Sequence, residues 1–378
     1  MTFIKRVGLS LLLLSLNSCA ENVKSDATHA ALTGIYATTN TQKLDQSKIK
    51  QALSNPNVDG FFIHATWQEI EPKPDVFDWS AIDRQLAILK KFNKKASIAI
   101  IAGAYAPPWL AEKGVKFMAT KVVQRRQKDF CQPLNVPIPW DEIFLQRWTS
   151  LIKQFGRHYA DNPLVSAIKI TGIASRTAET ALPANAGGIK SADNGENCHL
   201  PDDVRNWQKL GYTSEKVTDA FTSITKAFVG AFPDSPLVLM TDNRAFPPLN
   251  MRGELDPSAV SLATTTFLQI GEKLAGKRFI AQNNGLTALK VDPGIKAFAE
   301  AGHTVGYQAA WPITADSRCY MSLKKQNKPC LQDANTLQAV IAQAQAGGAR
   351  YIELMPVDIL NPDFAGVLSK AHQYFNSF

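Results

Sequence analysis

The sequence has 378 residues, of which 45% are hydrophobic and 20% charged, with a formal net charge of +8. That length and apolar content allow a sizeable core and exclude a disordered or fibrous chain. The positive residues are scattered, the densest groups being Lys90-Lys91 with Lys94-Lys95 and Arg125-Arg126, so the basic excess belongs to solvated faces and nucleic acid is not an expected partner.

Residues 1–18 open with the basic pair Lys5-Arg6, continue through an apolar run from Val7 to Leu16, and stop at Leu16-Asn17-Ser18-Cys19. The run is too short to cross roughly 30 Å of hydrocarbon, which needs about twenty residues, and it has the layout of a secretory signal peptide. Its end resembles the bacterial lipobox, which implies that Cys19 is lipidated and becomes the first mature residue. The alternative is an ordinary cleavage site beside an incidental cysteine. Ala20 follows where Asp would retain the protein at the inner membrane, so the resemblance implies a lipid-anchored envelope protein, at the outer membrane in a Gram-negative cell. Residues 19–30 are polar and aperiodic, a tether rather than part of the fold.

From residue 31 to 378 short apolar segments alternate with helical patterns. Strands are expected at 34–40, 60–67, 96–103, 165–173, 237–241, 278–282, 304–311 and 350–355. Helices are expected at 81–92, where Ile82, Leu86 and Leu89 share a face, and at 141–159 and 214–232. Strand and helix alternating eight times predicts an α/β fold, a single (β/α)8 barrel of the TIM type with long βα loops. A doubly wound open sheet would need a Gly-rich first turn, and no G-x-G-x-x-G follows the first strand.

The loops after strands three, four and five are long, at 104–139, 174–213 and 242–257, and function in this fold sits at the C-terminal ends of strands. Beyond Cys19 the cysteines are Cys131, Cys198, Cys319 and Cys330, an even number in an exported chain, which reads as disulfides. Of the three possible pairings the expected one joins Cys319 to Cys330 across a short loop and Cys131 to Cys198 between two long ones.

The stretch Trp67-Gln68-Glu69-Ile70-Glu71-Pro72-Lys73-Pro74-Asp75-Val76-Phe77-Asp78-Trp79 continues to Asp83, and Ala106-Pro107-Pro108-Trp109 follows the third strand. The first resembles the W-x-x-x-E-P-x-x-G-x-F-D-W/F-x-x-x-D stretch of clan A glycoside hydrolases, notably barrel-type β-galactosidases. The second resembles the a-P-x-W that follows strand three in the same enzymes. Phe77, Asp78 and Trp79 read as packing residues between strand and helix. Trp67 and Trp109 stand at or just past strand ends, where an indole face suits a sugar ring, and with Glu69 they are candidate substrate contacts.

The resemblance implies two glutamates, at the ends of strands four and seven, as acid and nucleophile. This sequence departs from it: strand four ends Lys169-Ile170-Thr171-Gly172 without an Asn-Glu pair, and strand seven carries Gln308. The candidate catalytic carboxylates are therefore Glu179, in a polar stretch after strand four beside Arg176, and Glu353, inside the apolar strand eight. A carboxylate in a buried strand is costly unless paired or put to use, so the alternative for Glu353 is an internal ion pair with Lys169 or Arg244. The alternative for Glu179 is a surface acid.

His64, Asp242, Asn243, Arg244, Asn283, Gln308 and Trp311 complete the candidate binding set, since amide side chains both donate to and accept from hydroxyl-rich ligands. No His or Cys spacing fits a metal, and no cofactor motif is present. Two functions compete: a glycosidase using Glu179 and Glu353, and a noncatalytic carbohydrate-binding or scaffold protein on a degenerate barrel. Either is expected to be a monomer whose partners are a carbohydrate and, through its lipid, the membrane.

Overall fold

The computed structural model describes residues 32–39, 46–123, 129–176, 179–192, 195–242, 245–289, 291–309, 311–313 and 334–378. Twelve strands are formed among these: β1 (Gly34–Ala37), β2 (Gly60–Thr66), β3 (Lys95–Ile101), β4 (Phe117–Lys121), β5 (Pro133–Pro137), β6 (Val165–Lys169), β7 (Ala186–Ser191), β8 (Asn197–Asp202), β9 (Leu237–Thr241), β10 (Phe279–Asn283), β11 (Thr304–Gln308) and β12 (Ala349–Leu354). Eight of them close into a parallel barrel in the order β1-β12-β11-β10-β9-β6-β3-β2. These are the eight expected strands. The first, third, fourth and seventh end earlier than expected, at Ala37, Ile101, Lys169 and Gln308.

The outer helices follow their sequence periods. Ser80–Lys91 buries Ile82, Leu86 and Leu89. Glu142–Tyr159 is capped by Asp141, whose carboxylate accepts from the Ile143 and Phe144 amides, and it buries Phe144, Trp148, Leu151, Ile152 and Phe155 against the barrel. Ser214–Ala231 is capped by Thr213.

Two of the long loops hold structure of their own. β4 pairs antiparallel with β5 and β7 with β8, and the two hairpins are joined by the expected Cys131–Cys198 disulfide. Thr120 Oγ1 donates to the buried Asp203 at 2.7 Å and Lys121 Nζ to the His199 carbonyl at 3.0 Å, so the hairpins brace one another. Residues 1–31, with Cys19 and the expected leader and tether, lie outside the described residues, as do Asn243, Arg244, Cys319 and Cys330.

Side chains inside the barrel alternate along each strand. One layer is Tyr36, Ala167, Val238, Ile280 and Tyr351, an apolar plug with Leu32. Gly60 and Gly306 make room for it, because a Cβ on Gly60 would stand 2.3 Å from the Tyr36 ring and one on Gly306 2.0 Å from that of Tyr351. Two residues further along the same strands come Thr38, Lys169, Met240, Gln282 and Glu353, all buried. Polarity thus enters the barrel at its C-terminal end.

Candidate active site at the barrel mouth

β6 and β12 stand opposite each other in the closed barrel, so Lys169 and Glu353 reach toward one another across it. Lys169 Nζ lies 2.7 Å from Glu353 Oε1 and 3.0 Å from Oε2, with both side chains fully buried. Oε2 also accepts from Gln308 Nε2 at 2.6 Å and Gln282 Nε2 at 3.1 Å, whereas Oε1 has the ion-pair contact and no hydrogen bond. Tyr351 Oη donates to Gln282 Oε1 at 2.5 Å, and burial beside Glu353 holds its phenol well above the ordinary value, so it remains a neutral donor. Glu353 is therefore one half of a buried ion pair with Lys169, the first of its two expected partners, while Arg244 lies outside the described residues.

Glu179, on the loop after β6, is 2% exposed and so is not a surface acid. Its Oε2 accepts from Asn284 Nδ2 at 3.2 Å, and its Oε1 lies 3.4 Å from His64 Nε2. Asn284 Oδ1 in turn accepts from Gln282 Nε2 at 2.6 Å. One hydrogen-bonded chain, Glu179–Asn284–Gln282–Glu353, therefore links the two carboxylates. Burial works to raise the Glu179 carboxyl, but the hydrogen bond from His64 and the charges of Lys169 and His64 outweigh it and hold it below the usual carboxylate range. Arg176, expected to tune Glu179, forms an ion pair with Asp129.

His64 stands on β2 two residues after Phe62, with ring centroids 3.9 Å apart, and Lys169 Nζ lies 3.3 Å from the Phe62 centroid. The aromatic ring thus forms a floor between ammonium and imidazole.

Several candidate contacts lie elsewhere. Trp67 is fully buried, opens the helix Trp67–Ile70, packs on Trp109, Phe144 and Trp148, and donates to Glu71 Oε2 at 2.8 Å. Trp109 is 7% exposed, donates to the Glu71 carbonyl at 3.0 Å and lies under the Arg147 guanidinium. Both indoles are core: each opens a short helix, Trp67 after the cap at Thr66 and Trp109 after Pro108, and both are buried. Glu69 is exposed, and its carboxylate accepts from the Thr66 amide and hydroxyl at 3.2 and 2.7 Å, which makes a capping box. Asn283 ties strand ends together, donating to the Thr241 carbonyl and accepting from the Gly285 amide. Gln308 supports Glu353. Asp242 and Trp311 are exposed beyond the ends of β9 and β11. Sequence reasoning missed Phe62 and Tyr351, and the signal was present: each lies two residues before a polar interior residue on the same strand.

The glycosidase-like motif also has a physical account. Glu71 is 1% exposed and gathers the Trp67 indole N–H, the Arg147 guanidinium at 2.7 Å and the Asp75 amide at 2.9 Å, which fixes the turn after β2. Asp75 has φ of 61°, so the position where the pattern carries Gly is left-handed. Phe77 stacks on Trp79, which packs on Phe155 and Tyr159, and Tyr159 Oη donates to Asp83 at 2.8 Å.

The family model described as beta-galactosidase (Glyco_hydro_42) matches residues 40–173. Over this stretch the chain is like a glycoside hydrolase. The match contains both motif stretches and ends before Glu179. Among solved structures, the catalytic domain of beta-amylase from Paenibacillus polymyxa aligns with a TM-score of 0.54 at 12% identity, covering 90% of this chain and 97% of that one, and it shows the same fold. Xylanase 10B from Thermotoga maritima aligns at 0.49 and 12% identity over 90% and 95% of the two chains. Endo-glycoceramidase II from Rhodococcus sp. aligns at 0.39 and 12% over 74% and 73%. A search of curated protein sequences finds no match.

Proposed function

We propose that this protein is an exported, lipid-anchored, monomeric barrel of the cell envelope that hydrolyses a glycan, with Glu179 and Glu353 as its paired carboxylates. What carries the reading is the chain Glu179–Asn284–Gln282–Glu353, which brings two acids from opposite sides of the barrel into one network at the mouth. Glu179 meets the substrate, and Glu353 opposes it as the second charge. Asn284 and Gln308 supply amides for hydroxyl groups, and the exposed Trp311 supplies an apolar face for a sugar ring.

A second reading, a noncatalytic carbohydrate-binding protein, is favoured by one observation: Lys169 neutralises Glu353, whose Oε2 is already met by three donors. Purified protein is screened against aryl glycosides and cell-wall polysaccharides, with release of reducing ends and calorimetric binding measured together. Hydrolysis supports the first reading, and saturable binding without hydrolysis supports the second. Neither signal on any glycan removes both.

A further inference from the structure

A glycosidase must deliver a proton to the departing oxygen, and at this mouth both carboxyls are held by donors. Glu353 is fully buried against Lys169, and Glu179 sits between a histidine and an amide. We propose that His64 is a positioning residue that stores the proton Glu179 delivers, so that the two side chains act as one acid–base couple. The role in catalysis rests on the glycosidase reading above, whereas the couple itself is a property of two side chains.

The geometry carries this in three ways. First, among the described histidines His64 is the one in contact with a mouth carboxylate: His158 pairs with Asp83, His303 with Glu272 and His372 with Asp59, all outside the barrel interior, and His199 lies on the β7–β8 hairpin. Second, exposure is divided between the partners, since the His64 side chain is 19% exposed and that of Glu179 3%. A proton exchanging with Glu179 from solution therefore has the imidazole as its wet neighbour. Third, among the described residues the groups around the couple are the Lys169 ammonium, the Glu353 carboxylate and the Tyr351 phenol, with Arg176 paired to Asp129, and the imidazole lies against the Phe62 ring.

The step balances. The proton passes from His64 Nε2 to Glu179 Oε1, and Glu179 in its acid form protonates the glycosidic oxygen. The bond from that oxygen to the anomeric carbon breaks with its electron pair going to the oxygen. Water supplies its oxygen to the carbon, and the proton it releases returns through Glu179 to His64.

Two measurements on the full chain test the proposal. Carbon-13 NMR of carboxyl-labelled glutamate, with the Glu179 resonance assigned by Glu179→Gln, follows its ionisation in the natural protein and in His64→Gln. The carboxyl is expected to ionise at higher pH in the variant, and an unchanged titration overturns the couple. His64→Asn replaces the variant if His64→Gln does not fold. Second, 2,4-dinitrophenyl and 4-methoxyphenyl glycosides are compared, because the first leaving group needs no proton. His64→Gln should lose about 100-fold or more in kcat/KM on the methoxyphenyl glycoside and little on the dinitrophenyl one. An equal loss on both overturns proton delivery. A shifted titration in a protein that cleaves no glycoside supports the couple and defeats the glycosidase reading instead.

Discussion

Lys169 and Glu353 are separated by 184 residues in the chain, yet their side chains meet at 2.7 Å inside the barrel with no exposure to solvent. Such a pair contributes little net stability over an apolar substitute, but removing one partner leaves a buried charge uncompensated. Glu353→Gln should therefore destabilise the fold by about 3 to 5 kcal/mol, and Lys169→Met by a similar amount. The double variant should recover much of that loss in urea unfolding. If Glu353→Gln melts early yet keeps full activity per folded molecule, Glu353 is not a catalytic carboxylate.

Glu179 makes a pH-dependent contribution of known sign. Its carboxyl in the folded protein lies below the usual range, the His64 hydrogen bond and the Lys169 and His64 charges prevailing over burial. The stabilisation is present above the unfolded-state value of about 4.3 and is lost as pH falls through the folded-state value. Unfolding free energy should thus fall more steeply on acidification below about pH 4.3 in the natural protein than in Glu179→Gln. Parallel curves for the two would show that Glu179 has no depressed value.

The Cys131–Cys198 bridge closes a separation of 67 residues, for which chain entropy gives a contribution of about 4 kcal/mol. The double serine variant should unfold at lower denaturant concentration, losing protection first in the β4–β5 and β7–β8 hairpins by hydrogen exchange. Peptide mapping without reduction should recover this bridge and a second one between Cys319 and Cys330. Any crossed pairing would remove the proposed framework.

Tryptophans at the strand ends should divide by role. Trp67→Ala, a deletion from a fully buried aromatic cluster, should cost about 3 to 5 kcal/mol of stability. Trp311, 38% exposed, should tolerate replacement by Ala with less than about 0.5 kcal/mol lost while glycan affinity falls. Unchanged affinity in a calorimetric titration would exclude the Trp311 ring as a sugar platform.

Membrane attachment is tested by Cys19→Ser, which should move the protein from the membrane fraction to the soluble one without altering its melting temperature. Continued sedimentation with membranes would exclude a lipid anchor at Cys19.

Barrel architecture could be read in the sequence because the patterns that encode it are local: eight apolar runs separated by helices of regular period, each a matter of neighbours within about two turns. The turn after β2 was visible for the same reason, since Trp67, Glu71 and Asp75 lie within nine residues of one another and make one hydrogen-bonded unit. Position at a strand end, however, does not say which way a side chain points. Trp67 and Trp109 looked like sugar platforms and are core, because each opens a short helix past its strand and packs beside the other. Tertiary structure alone decided that Glu353 meets Lys169, that His64 meets Glu179, and that Asn284 and Gln282 join the two. Apart from the local Gln282–Asn284 bond, those contacts span from 71 to 184 residues and exist only once the strands close, since closure fixes which side chains share the interior and burial then forces every charge there to find a partner.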